Sequence, residues 1–137
     1  MFDNVTNKDD ARRHEIIESC GGIIMDGWSD SKGYDIKYYE GLTAAGLDTL
    51  IKEGFADEDE QQNCCPCIRE INKFIHEHPH FTAHGYIVTP RRADYRVSIE
   101  GVTGEECNAE DIHDFVEMFR RADDFIIEGG HCHCWFD

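Results

Sequence analysis

The sequence predicts an α+β fold: an antiparallel sheet of about four to six strands, built from hairpins, with helices packed on one face. Three observations carry this. Apolar residues recur at helical spacing in some stretches and at period two in others. Turn-forming Gly, Pro, Asn, Asp and Ser lie between those stretches. The order reads helix, hairpin, helix, helix, hairpin, helix, hairpin, so helix-then-hairpin units recur. The length, 137 residues, suits one domain spanning 1–137.

The first helix is expected over Lys8 to Ser19, capped by Asn7 and ended by Gly21-Gly22. Its apolar stripe is Ala11, Ile16, Ile17 and Cys20. Ile23 to Trp28 and Tyr34 to Glu40 read as strands around the turn Ser29-Asp30-Ser31-Lys32-Gly33. Thr43 caps a second helix, Ala44 to Glu53. Gly54 suits a left-handed C-terminal position, and Phe55 packs back on the last turn.

An acidic loop, Ala56 to Asn63, precedes a third helix from Pro66 to His78. Ile68, Ile71, Phe74, Ile75 and His78 form its stripe. Thr82 to Thr89 and Asp94 to Gly101 then flank Pro90-Arg91-Arg92-Ala93 as a hairpin. Pairing Thr89 with Asp94 puts Val88, Tyr86 and His84 opposite Tyr95, Val97 and Ile99 on an apolar face. Ile87, Arg96, Ser98 and Glu100 fall on the other. Asn108 caps a fourth helix, Ala109 to Arg121. Phe125 to Glu128 and His131 to Phe136 close the chain as a hairpin around Gly129-Gly130. That hairpin pairs Ile127 with Cys132 and Phe125 with Cys134.

Charge dominates the composition. There are 29 Asp and Glu against 13 Lys and Arg, a net charge of -16. A field of that sign repels nucleic acid and anionic membrane and attracts basic partners. The 11% aromatic content argues for a folded body rather than an acidic tail. No run approaches the roughly 20 apolar residues of a membrane helix. The polar start, Met1 to Asp10, has no signal-peptide pattern. A cytoplasmic location follows as the expectation, with the seven cysteines mostly reduced.

Three sets of residues invite chemistry. Cys64 and Cys67 have CxxC spacing ahead of a helix. With His131 and His133 they supply the Cys and His donors that zinc takes, although the spacing is not that of a standard zinc module. Cys132 and Cys134 share the period-two face of Phe125, Ile127 and Phe136, which marks them as core. Arg91, Arg92 and Arg96 gather at a hairpin turn and suit a phosphate or carboxylate, or else pair with Asp94 and Glu100. Acidic residues cluster at Asp57, Glu58, Asp59 and Glu60, and again at Glu105, Glu106, Glu110, Asp111, Asp114 and Glu117.

The expected function is therefore that of an acidic, non-enzymatic binding protein. Its partner would be a basic protein, engaged by the two acidic clusters as an inhibitor, immunity protein or nucleic-acid mimic would engage it. No cofactor is required by this reading. One alternative is a metal- or thiol-dependent protein using Cys64, Cys67 and the C-terminal cysteines and histidines. Another is a small-molecule or anion-binding domain anchored by the Arg91–Arg96 hairpin. Acidity that only maintains solubility competes with all three. Neither the partner nor the oligomeric state is encoded in a motif.

Overall fold

A computed structural model of the chain describes residues 5–26 and 35–137. The elements are α1 (Asp10–Ser19), β1 (Ile23–Asp26), β2 (Ile36–Leu42), α2 (Ala44–Lys52), α3 (Ile68–Glu77), β3 (Phe81–Val88), β4 (Val97–Gly104), α4 (Ala109–Phe119), β5 (Asp124–Glu128) and β6 (His131–Trp135). The fold is α+β, as the pattern predicts. The strands form one antiparallel sheet in the order β1-β2-β3-β4-β6-β5. The expected turn at 29–33, with Trp28 and Tyr34, lies outside the described residues.

Capping chemistry sets the helix starts. Asp9, not Asn7, caps α1 by accepting from the Arg12 N–H. Asn7 instead accepts from the Asp9 N–H and donates to the Glu53 carbonyl. Thr43 caps α2 through the Gly46 N–H, and Gly54 ends its last turn at φ +86° with Phe55 buried behind it. The third helix starts at Ile68, with Pro66 just ahead of it. Cys67 is its N-cap residue and donates its N–H to Glu70. Asn108 and Asp111 cap α4 reciprocally, and that helix stops at Phe119, short of Arg121.

The four helices bury their stripes in one core against the sheet. Ile16 and Ile17, Leu47 and Leu50, Ile71, Phe74 and Ile75, and Phe115 and Phe119 meet Phe81, Ala83, Ile87, Val97, Ile99, Val102, Cys132, Cys134 and Phe136. An aromatic row organises one end. Phe74 meets Phe81 edge-on at 5.0 Å, Phe81 stacks on Phe115 at 5.5 Å, and Phe115 stacks on Phe125 at 4.9 Å.

The central hairpin corrects the expected register. Ile87 pairs with Val97, Tyr86 with Ser98 and Gly85 with Ile99, one residue away from the Thr89–Asp94 register. A one-residue slip exchanges the faces of one strand relative to the other. Val97 and Ile99 therefore point inward as expected, but the inward residues of β3 are Phe81, Ala83 and Ile87. His84 and Tyr86 point outward. Two features defeat the simpler pairing: the connection is longer than four residues, and β4 bulges at Glu100, so His84 lies opposite Gly101. At the bulge the backbones approach closely, and a Cβ on Gly85 would lie 2.2 Å from the Ser98 carbonyl oxygen.

The terminal hairpin has the expected register, Ile127 with Cys132 and Phe125 with Cys134. It joins the sheet through β6, which sits between β4 and β5. Among the described residues, no helix is long and apolar enough to cross a membrane.

Candidate functional site

Period two fixes what the other side of the sheet carries. Opposite the inward residues lie Ile23 and Met25 on β1, Tyr38 and Glu40 on β2, and Thr82 and His84 on β3. Thr103 lies on β4, His131, His133 and Trp135 on β6, and Asp124, Ile126 and Glu128 on β5. Ile23 is 57% exposed, and Met25 and Ile126 are each 42% exposed. Large apolar side chains this open, sharing one sheet face, make that face the candidate surface.

Two adjoining clefts run along this face. One, of about 290 Å³, is lined by Gly21, Ile23, Glu40, His80, Thr82, His84, Thr103 and Glu105. The other, of about 460 Å³, is lined by Met25, Tyr38, Glu40, His84, Glu100, Thr103, His133 and Trp135. Glu40, His84 and Thr103 border both, so the two form one trough. The β2 bulge helps shape it: the register shifts between Tyr39 and Leu42, and Gly41 adopts φ +76° there.

The histidines along this sheet face are held in place. His84 donates from Nε2 to the Cys134 carbonyl oxygen at 3.0 Å. Its ring stacks on His133, whose Nδ1 lies 2.8 Å from the Thr103 hydroxyl. His131 Nδ1 lies 2.8 Å from a Glu105 carboxylate oxygen. Burial, then the neighbouring His133, pushes the His84 pKa down to about 4, so its ring is neutral near pH 7. Burial and His131 push His133 down as well. Burial raises the Glu100 carboxyl, although the Trp135 indole N–H donates to it.

The expected acidic contact surface is only partly on the outside. Asp57 and Glu60 are buried. Asp57 accepts from the Asp59 N–H, and Glu60 accepts from the Ser98 hydroxyl at 2.8 Å. The segment containing them closes against β4 beyond the end of β6, so those two carboxylates serve the fold. Glu58 and Asp59 are nearer solvent and face Arg69. Asp111 is also buried. It caps α4 and accepts from His78 at 2.7 Å and His80 at 3.0 Å. Burial would raise Asp111, but bonds from His78, the Asn108 N–H and His80 outweigh it and hold the carboxyl low. His78 reaches Asp114 on its other side, tying the end of α3 to α4. Glu105, Glu106, Glu110 and Glu117 are exposed.

The arginines and cysteines of the other two candidate sets lie away from the trough's lining. Arg92 and Arg96 both bind the Asp94 carboxylate, and Arg96 also donates to Tyr86 and Ser98. Arg91 lies 3.9 Å from Asp35. The arginines therefore fix the turn, the internal pairing that the sequence offered as the alternative to an anion site.

Cys64 and Cys67 lie at the start of α3, on the helical side, whereas His131 and His133 line the open sheet face. The four do not form one metal centre. Among the described residues, no three His, Cys, Asp or Glu groups come together in an arrangement that could hold a metal ion. Cys64 instead borders a third cleft, of about 380 Å³, with Glu70, Glu117, Arg120 and Arg121.

Sequence reasoning missed the trough because it placed His84 and Tyr86 inward. The available signal was Phe81 and Ala83, which extend the inward alternation through Ile87 and leave His84 out. Compared with protein-family models, curated proteins and solved structures, the chain matches none.

Proposed function

We propose that this chain is an acidic, non-enzymatic binding protein whose partner is a basic protein, of the inhibitor, immunity or nucleic-acid-mimic kind. The observation that carries the reading is where the charge lies. Of the charged residues among those described, only Arg13, Asp57, Glu60 and Asp111 are buried. Most of the acidic surplus of the described residues is therefore outside the core. A field of that size steers a basic partner and speeds encounter. The trough supports binding over catalysis, because the His84 and His133 rings that line it stack on each other and are engaged by a carbonyl and a hydroxyl.

Affinity capture from the source cell at low and high salt tests the proposal. The expected captured protein has a strongly basic surface and is released by salt and by competing heparin. Capture of acidic proteins only, or capture insensitive to both treatments, overturns it.

A further inference from the structure

We infer that the docking surface is the trough on the open sheet face, and that its occupant is a segment of the partner carrying arginine or lysine beside an aliphatic residue. The inference rests on the basic-partner reading and adds where the partner sits and what it presents. Glu40, Glu100 and Glu105 line the two clefts, with Met25, Tyr38 and Trp135 providing apolar surface between them. A long cationic side chain fits such a lining, its methylenes on the apolar groups and its charge among the carboxylates. His84, which borders both clefts, supplies no offsetting charge: it stacks on His133, and burial and that neighbour keep it neutral near pH 7.

The margins carry the same sign. Asp124 and Glu128 flank Ile126 on β5, across from Trp135 and His131. The arrangement is an apolar centre with an acidic rim, the anatomy of a protein interface whose partner is basic. The charge also decides against a second copy of this chain as the occupant. Two such faces would bring like carboxylates together in a pair of molecules each carrying -16.

The test uses the full chain, isotope-labelled for NMR, and two short synthetic peptides of equal positive charge. In one, serines separate the arginines; in the other, leucines and valines do. At low ionic strength the apolar-containing peptide is expected to bind at least about tenfold more tightly. Its shift changes should fall on Ile23, Met25, Tyr38, Trp135 and Ile126. Met25→Asp and Glu40→Lys should each weaken it by about tenfold, while Lys73→Glu, on an exposed position of α3, should not. Unchanged thermal midpoints confirm that the variants remain folded.

Equal binding of both peptides, or shift changes confined to the helices, leaves the basic-partner reading standing and overturns the trough as its site. Binding of neither peptide contradicts both. Self-association that protects the same residues identifies a second copy as the occupant and overturns the inference.

Discussion

His84 and His133 stack across β4, their ring centroids 5.0 Å apart and their planes 13° from parallel. The strand between them permits this because it carries Gly101 there. A Cβ on Gly101 would lie 2.1 Å from the Cys134 carbonyl oxygen and 3.0 Å from His84 Cε1. The missing side chain allows β6 to approach β4 and the two rings to meet above it.

This pair gives the protein a pH-dependent stability. His84 titrates near 4 in the folded state, below its ordinary value of 6.5, because burial and His133 disfavour its charge. The unfolded chain takes up the proton first. Stability from this group is therefore fully present above about 6.5 and is lost as pH falls toward about 4. Denaturation of the native chain and of His84→Gln across that range should show a shallower slope for the variant. Parallel curves would contradict the assignment. The depressed Asp111 and Asp114 carboxyls act at lower pH, below the ordinary carboxylate range.

Gly101→Ala should be costly, since the added carbon meets backbone rather than a movable side chain. A loss of about 3 kcal/mol or more is expected in urea denaturation. Gly129→Ala is the comparison. Gly129 has φ +59°, and a Cβ added there would meet nothing within 4 Å, so the substitution should lose only about 1 kcal/mol. Equal losses would mean that the close approach of β4 and β6 contributes nothing.

Removing residues 131–137 should abolish cooperative unfolding. That cut takes away β6, which connects β5 to the rest of the sheet, together with the buried Cys132, Cys134 and Phe136. Calorimetry showing an unchanged midpoint would contradict the central place of this strand.

Thiol labelling of the native protein should modify Cys64 first, the exposed cysteine, and Cys65, Cys132 and Cys134 last. Burial pushes the Cys134 thiol up to about 12 and the Cys65 thiol higher still, removing the thiolate that reacts. Rapid labelling of Cys134 would require a different strand register.

Local chemistry made much of this architecture legible. Thr43, Gly54 and Asn108 mark helix boundaries through bonds made within a few residues, and Gly129-Gly130 sets the last hairpin's register by its turn alone. The central hairpin was not legible in the same way. Its long connection and the bulge at Glu100 shift pairing by amounts that apolar alternation does not encode, so the outward turn of His84 was lost, and the trough with it. Asp57, Glu60 and Asp111 resemble surface carboxylates in sequence. For Glu60 and Asp111, burial depends on Ser98 and His78, which lie 38 and 33 residues away along the chain.

Association with a basic partner, measured against ionic strength, tests the central claim most directly. The partner obtained by affinity capture is titrated with the native chain, with a variant reversing Glu105, Glu110, Glu117 and Asp124 to lysine, and with Cys64→Ser/Cys67→Ser. Affinity and association rate should fall as salt rises, because exposed charges more than about 8 Å apart are screened at physiological ionic strength. The lysine variant should bind far more weakly, and the serine variant should match the native chain. Salt-independent binding that the serine variant loses and the lysine variant keeps would contradict the account and point to the thiols instead.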